Sequence, residues 1–173
     1  MPVFVALLRA INVGGTGKLP MADLKALAEG LGFAEVSTYI QSGNLIFRDG
    51  GDPAEIAALL DAALGDRLGK PPGVFLRQPA DLFDILDANP FPAMPASRVL
   101  VNFFRDAVPD QALAGLVAPD GEEVVARGRE IFIHYPIGSG RSRLRLPILK
   151  EGTSRNINTV ARLAALAGGH PRP

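Results

Sequence analysis

The order of strand-like and helix-like apolar patterns over residues 1–78 restricts the fold more than any other feature of this chain. A continuous apolar run, Val3–Leu8, is typical of a strand buried on both faces. Residues 36–40, 44–47 and 74–77 also have the composition of strands. Apolar residues at helical spacing predict one helix after Pro20 and a second behind Asp52-Pro53. The resulting order, β-α-β-β-α-β, is that of a ferredoxin-like α/β plait.

The second half of the chain predicts a similar but incomplete set of elements. Helices are expected at 80–87 and 109–117, on either side of a strand at 98–105, and a hairpin is expected at 122–126 and 130–135. The last helix is expected from about Ser154 to Ala167, so the final strand of a plait is missing unless an earlier strand takes its place. We therefore predict an α+β protein of two ferredoxin-like subdomains packed together, residues 1–78 and 79–173, with the second incomplete in sequence order.

Composition narrows the classes of function. The 173 residues contain 18 basic and 18 acidic side chains, so a wholly basic nucleic-acid binder is not expected. Cysteine is absent, which excludes a disulfide framework, a thiolate zinc site and a cysteine nucleophile. From the residues present we predict no cofactor and no metal site. Without a signal-peptide pattern or an apolar stretch of ~20 residues, we expect a cytoplasmic protein with no membrane partner.

A glycine-rich segment directly after the first strand is the first candidate binding site. It contains the predicted ligand residues Arg9, Asn12, Gly14, Gly15 and Lys18. The spacing fits neither a Walker A motif nor G-x-G-x-x-G, but a strand, a glycine turn, a lysine and a helix start expose backbone donors to an anion. The alternative is a tight turn in which the glycines adopt positive φ.

A second polar segment, Gly152–Val160, offers similar chemistry. Its predicted ligand residues are Arg155, Asn156, Asn158 and Thr159. In the helix expected here, Arg155, Asn158, Thr159 and Arg162 would share one face, which suits a phosphate or carboxylate group. The alternative is capping of that helix by Thr153 or Ser154 and a solvated surface.

The hairpin connection Gln41-Ser-Gly-Asn44 could extend the same site. Ser42 and Asn44 are the predicted ligand residues, since a hydroxyl and an amide orient a ligand by hydrogen bonds. Ordinary hairpin chemistry is the alternative.

Six sequence pieces resemble the family known as domain of unknown function 1697. They are Ala6–Gly15, Leu19–Leu24, Thr38–Asn44, Asn89–Phe91, His134–Pro136 and Ser154–Val160. The resemblance implies a two-subdomain α/β plait and implies no activity. Ile157 stands where the family pattern has tryptophan, and the stretch between Arg141 and Ser154 is short.

Basic residues concentrate near the end of the chain. From Arg127 to Arg162 there are eight basic side chains and two acidic ones, a distribution that attracts anions. Arg141, Arg143 and Arg145 could contact nucleic-acid phosphates, or their alternation could belong to an edge strand. Because aromatic residues make up only 6% of the chain, nucleic acid is the second choice of partner.

The leading hypothesis is a protein that binds a small anionic ligand between its two halves, through the two polar segments. After nucleic-acid binding, a second alternative is an enzyme in which Tyr39, His134 or Glu151 transfers a proton beside the cationic groups. A third is an interaction module whose partner binds a sheet edge or residues 91–95. The sequence leaves the oligomeric state open.

Overall fold

The computed structural model describes residues 1–9, 19–39 and 43–168, and the chain divides into two compact units. One unit comprises Met1–Asp81 and the chain from Leu163 onward, and the other comprises Leu82–Arg162. Within the described residues there are four α-helices and two four-stranded antiparallel sheets, so the fold is α+β. None of the described helices is both long and apolar enough to cross a membrane.

The first sheet has the strand order β2-β3-β1-β4. Its strands are β1 (Val3–Leu8), β2 (Ala34–Tyr39), β3 (Asn44–Arg48) and β4 (Val74–Arg77), and the connecting helices are α1 (Met21–Gly30) and α2 (Pro53–Leu68). All neighbouring strands are antiparallel, with β1 between β3 and β4. The predicted sequence of strands and helices is confirmed for this part of the chain.

One face of the first sheet forms a hydrophobic core with both of these helices. Ala6, Leu45 and Phe47 are fully buried there, together with apolar side chains of α1 and α2. The neighbouring residues of the central strand, Val5 and Leu7, point to the opposite face and are also fully buried. The prediction that the first strand is buried on both faces is confirmed.

Helix α2 begins where the sequence predicts. The Asp52 carboxylate accepts a hydrogen bond from the backbone N–H of Glu55 at 3.2 Å, and Pro53 occupies the first turn, where an N–H has no helical partner. Gly69 ends the helix with a φ of 96°, a left-handed conformation that glycine adopts without strain. Local sequence therefore determines both ends of this helix.

The second sheet has the strand order β6-β7-β5-β8. Its strands are β5 (Val99–Phe103), β6 (Glu123–Arg127), β7 (Glu130–His134) and β8 (Thr153–Asn156); helix α3 (Pro79–Asp87) precedes them and α4 (Ile157–Gly168) follows. Ile131, Ile133 and Tyr135 form the centre of a second core beside the sheet. The predicted hairpin of β6 and β7 and the predicted helix before Ala88 are confirmed.

The segment 109–117, predicted as a helix, forms a series of turns. The backbone N–H groups of Ala112, Ala114 and Leu116 each donate to the carbonyl three residues earlier, without continuous α-helical bonding in this described segment. Gly115 has a φ of 79°, which interrupts a right-handed helix. Ala112 and Leu116 still join the second core, so turns bury the apolar side chains whose spacing predicted a helix.

The segment predicted to begin the last helix is instead the strand that completes the second sheet. Thr153–Asn156 pairs antiparallel with β5, and α4 begins at Ile157. The expectation of a missing final strand and of a helix start near Ser154 is therefore wrong. The partner strand lies far earlier in the chain, and a four-residue polar strand has no periodicity that would reveal the pairing.

The two sheets have corresponding strand orders and registers. The order β2-β3-β1-β4 matches β6-β7-β5-β8, strand for strand. In the first sheet Val5 lies opposite Arg77, and in the second sheet Val101 lies opposite Arg155. Val5 and Val101 are each the third residue of the central strand, so Arg77 and Arg155 occupy corresponding places beside it.

Candidate functional site

Three chain segments meet at the end of the first sheet where β1 ends. The Leu8 N–H donates to the Gly43 carbonyl at 2.9 Å, and the Arg9 N–H donates to the Gly73 carbonyl at 3.1 Å. The chain entering the glycine-rich segment is thereby attached to the β2–β3 hairpin on one side and to the α2–β4 loop on the other. Arg9, a predicted ligand residue, is half-buried at this junction.

The α2–β4 loop is shaped to pass beside the Arg9 side chain. Gly73 has a φ of 98°, and its N–H donates to Asp61 Oδ1 of α2 at 2.9 Å. A Cβ built on Gly73 would lie 3.8 Å from Arg9 Nε, so the Arg9 side chain passes close to this loop. A glycine conformation and a helix carboxylate therefore position the loop against which Arg9 lies.

Asn44 supports the same junction from the interior. Its side chain is fully buried, and its Nδ2 donates to the Tyr39 carbonyl at 3.0 Å across the closing pair of the β2–β3 hairpin. A fully buried amide is not accessible to a solvated ligand. The contribution of Asn44 at this end of the sheet is to hold the hairpin.

Five predicted ligand residues lie outside the described residues: Asn12, Gly14, Gly15, Lys18 and Ser42. The described residues that flank their two segments include Arg9 and Gly43, which lie at the same end of the first sheet.

Arg155 is a buried cation in the last strand of the second sheet. Only 8% of its surface is exposed, and its Nη1 donates to Thr153 Oγ1 at 2.9 Å and to the Ser154 carbonyl at 2.8 Å. Burial lowers the pKa of Arg155 to about 10, because surroundings of low polarity disfavour the charged form. The guanidinium is therefore still charged at neutral pH.

Asn156 caps the last helix. Its Oδ1 accepts a hydrogen bond from the Thr159 N–H at 2.9 Å, which satisfies one of the free donors of the first turn. The predicted caps, Thr153 and Ser154, belong to β8 instead.

The predicted cationic face of the last helix does not form as expected. Arg155 precedes the helix and points from a strand, so it shares no helical face with Asn158, Thr159 and Arg162. Asn158 and Arg162 are exposed and Thr159 is half-buried, so the helix still presents polar groups near its N-terminus.

A second buried arginine, which the sequence analysis did not single out, occupies the corresponding position in the first sheet. Arg77 is 2% exposed, and its Nη1 donates to the carbonyl of the preceding residue, Leu76, at 2.8 Å. Arg155 makes the same bond to Ser154 at the same distance. The local sequences around the two arginines differ, so only the register of the sheets reveals the correspondence.

The three candidate proton-transfer residues lie in different surroundings. Glu151 is exposed, Tyr39 is half-buried, and His134 is buried with 7% of its surface accessible. The His134 Nδ1 has no hydrogen-bond partner among the described residues, and the ring centroid lies 5.8 Å from that of Phe91. Of the three, Tyr39 lies at the same end of the first sheet as Arg9.

Across the ranges that the structure covers, no three His, Cys, Asp or Glu side chains are grouped so that they could hold a metal ion.

The arginine-rich stretch 141–145 does not form the regular edge strand that its alternation could indicate. Arg145 pairs with Val117 in an isolated bridge. Arg143 forms an ion pair of 2.7 Å with Asp120, and its backbone N–H donates to the same carboxylate at 2.9 Å. Hydrogen bonding from Arg143 lowers the pKa of Asp120, so the carboxylate remains ionised and pairs with this exposed arginine.

Comparison with known proteins gives a family and a fold. Residues 1–132 match the family described as "Protein of unknown function (DUF1697)". The chain is similar to the solved structure of the conserved bacterial protein SP0830 from Streptococcus pneumoniae, with 22% identity and a TM-score of 0.79 over 96% of this chain and 98% of that one. No curated protein matches the chain.

Proposed function

The chain belongs to the DUF1697 family of proteins of unknown function, and we propose that it binds a small ligand bearing a phosphate or carboxylate group. Arg9 and the adjoining segment 10–18 would bind the anionic group, and segment 40–42 would complete the site.

The observation that carries this proposal is the attachment of Arg9 at the junction of three segments. Its backbone N–H bonds to Gly73, and its side chain lies against the same loop. A guanidinium held in this way binds a phosphate or carboxylate through two parallel hydrogen bonds at a low entropic cost. The adjoining segment supplies Gly14, Gly15 and Lys18, whose backbone donors and ammonium group suit the same anion.

The residues of the second polar segment divide into two roles. Arg155 and Asn156 bond to their own strand and helix, so they position the chain at this point. Asn158 and Thr159 lie in the first turn of α4, where backbone donors and the helix dipole favour anions. A ligand that contacts both polar segments stays a prediction.

We also infer that the first sheet and its helices form a ferredoxin-like plait. Helices follow the first and third strands, and the strand order is β2-β3-β1-β4. The corresponding order of the second sheet supports a second subdomain, in which turns replace the first crossover helix. The subdomain boundaries at residues 1–78 and 79–173 stay a prediction, whereas the compact units divide the chain after Asp81 and again before Leu163.

Thermal-shift and calorimetric titrations with inorganic phosphate, mononucleotides, sugar phosphates and dicarboxylates test the proposal. Arg9→Ala should weaken binding about 10- to 100-fold, the loss expected for one charge-assisted contact. Its folded structure should persist, since Arg9 attaches to Gly73 through its backbone. Lys25→Ala is the matched control, because Lys25 is an exposed cation on α1 in the same unit.

If none of these anions raises the melting temperature, or if Arg9→Ala binds as tightly as the wild type, the proposal is wrong. Salt-sensitive binding of oligonucleotides alone, weakened by neutralising Arg141 and Arg145, would favour the nucleic-acid alternative. If the wild type turns over a bound phosphate ester and Tyr39→Phe abolishes this turnover, the enzyme alternative is favoured.

A further inference from the structure

The outer strands β2 and β6 occupy corresponding places in the two sheets but differ in regularity. In β2 the register shifts between Ala34 and Ser37, and Glu35 has a φ of 51°. Such a bulge turns an edge away from further pairing. In β6 all five residues pair with β7 in one unbroken register. The β6 edge therefore lacks the irregularity that protects β2.

The register identifies which backbone groups of β6 face outward. The Phe104 N–H donates to the Arg129 carbonyl, so residues 129, 131 and 133 bond toward β5 and the intervening residues bond toward β6. Glu123, Val125 and Arg127 lie opposite those intervening residues and use their backbone groups within the sheet. The N–H and C=O groups of the alternate residues point to the outer edge, which no other described strand covers. These residues are Val124 and Ala126.

The side chains of β6 are divided between its two faces. Glu123, Val125 and Arg127 share one face, and the two charged residues at its ends are exposed. Val124 and Ala126 share the other face, beside a groove of about 500 Å³ lined by residues 108–110, 112–113 and 124–128. The groove therefore lies along the same edge as the outward backbone groups.

We propose that β6 pairs with β6 of a second copy of this chain, antiparallel and centred on Val125. Val124 then lies opposite the partner's Ala126, and Ala126 opposite the partner's Val124. Because both residues point their backbone groups outward, each pair exchanges N–H···O bonds in both directions. The second sheet of one copy and the second sheet of the other then form one continuous eight-stranded sheet.

Charge complementarity selects this partner. The strand Glu123–Arg127 begins with an acid and ends with a base, so antiparallel pairing with itself places Glu123 opposite the partner's Arg127 at both ends. A parallel alignment would place like charges together. The Glu123 side chain has no ion pair or hydrogen bond with the described residues, and Arg127 uses only Nη1, which donates to the Ala88 carbonyl at 2.9 Å. Its other donors remain for a carboxylate.

The groove fits the apolar part of the same strand. In the proposed pairing, the partner's Val124 lies on the face that residues 108–113 border, beside Val108 and Leu113. A pairing of five residues is a small interface, so the dimer should form and dissociate with concentration in the micromolar range or above.

Sedimentation equilibrium and light scattering from about 1 µM to about 1 mM test the pairing. The wild type should approach twice the chain mass of 18.3 kDa as the concentration rises. Arg127→Glu and Glu123→Arg each place like charges opposite one another, and each should weaken the dimer at least about tenfold. An equimolar mixture of these two variants restores both opposite-charge pairs and should form a heterodimer. Arg162→Glu, an exposed charge reversal on α4, is the control and should dimerise as the wild type does.

Ala126→Pro provides a second test that leaves the sheet intact. It removes an outward N–H and no bond to β7, so the melting temperature should stay near that of the wild type while the dimer is lost. A wild type that stays at the monomer mass throughout overturns the proposal. So does a dimer that survives Ala126→Pro, or charge-reversed variants that fail to associate when mixed.

Discussion

In the first sheet, β4 begins with Val74, whereas the corresponding position before β8 in the second sheet is Gly152. A Cβ on Gly152 would overlap the Phe103 carbonyl oxygen and lie 2.9 Å from the Phe104 ring, closer than packed atoms can approach. Gly152 has an extended backbone with a φ of −121°, so the glycine is required by close approach and not by conformation. The same register therefore accommodates a buried valine in one sheet and requires glycine in the other.

At another pair of corresponding positions, the two sheets have the same residue, a buried arginine. Arg77 and Arg155 lie at the same register position, and each donates to the carbonyl of the residue before it. The neighbouring strand residues differ, since Arg155 also bonds to the Thr153 hydroxyl. A buried arginine that bonds to its own strand in both sheets indicates a structural role. Arg155 therefore stabilises the fold, in addition to any part it has in binding.

Comparison of the wild type with Arg155→Met should show how much the buried charge of Arg155 lowers the free energy of unfolding. The unfolded chain binds the Arg155 proton more tightly than the folded chain, because burial on folding lowers the pKa to about 10. The cost is therefore fully present below about pH 10 and is progressively relieved as the pH rises above this value. The stability of the wild type relative to Arg155→Met should increase over this range by on the order of 3 kcal/mol. Urea titrations of both proteins at stepped pH check this, and a constant difference would contradict it.

Replacing Gly152 with Ala tests whether β8, unlike β4, requires a glycine at this position. The added methyl group overlaps backbone and ring atoms, so β8 must shift away from β5, with an expected loss of about 2–3 kcal/mol. Gly140→Ala is the control, since a Cβ there meets nothing within 4 Å. Denaturant titration measures both changes. Equal stability of the two variants would mean that the close approach at Gly152 is relieved without cost.

Replacing Asn156 with Ala should have the smallest effect. The substitution removes the bond to the Thr159 N–H and should cost about 1 kcal/mol, whereas Asn156→Asp keeps an acceptor and should cost little. Asp52→Ala is the matched change at the cap of α2 in the first unit. Thermal unfolding of the three variants measures these losses of stability. A loss for Asn156→Asp as large as that for Asn156→Ala would show that Asn156 has a role other than capping.

The local sequence pattern was sufficient to predict those helices and strands whose structure depends on their own residues. The apolar run Val3–Leu8, the spacing along α2 and the Asp52-Pro53 start are visible in the sequence, and the structure confirms them. Around Arg9 the sequence identified a polar segment after a strand, but not the bond to Gly73 that holds it, since that loop is distant in sequence. The burial of Asn44 and Arg155 also depended on neighbours that no local pattern reveals.

The sequence by itself determined the number and order of the elements in the first unit, the β6–β7 hairpin and the polar character of the two candidate segments. These follow from side-chain periodicity and turn residues, which act over a few positions. Only the tertiary structure decided that 153–156 is a strand and 109–117 a set of turns. In both places the decisive contact comes from residues far along the chain: β5 supplies hydrogen bonds to a short polar strand, and the second core buries apolar side chains that need no helix.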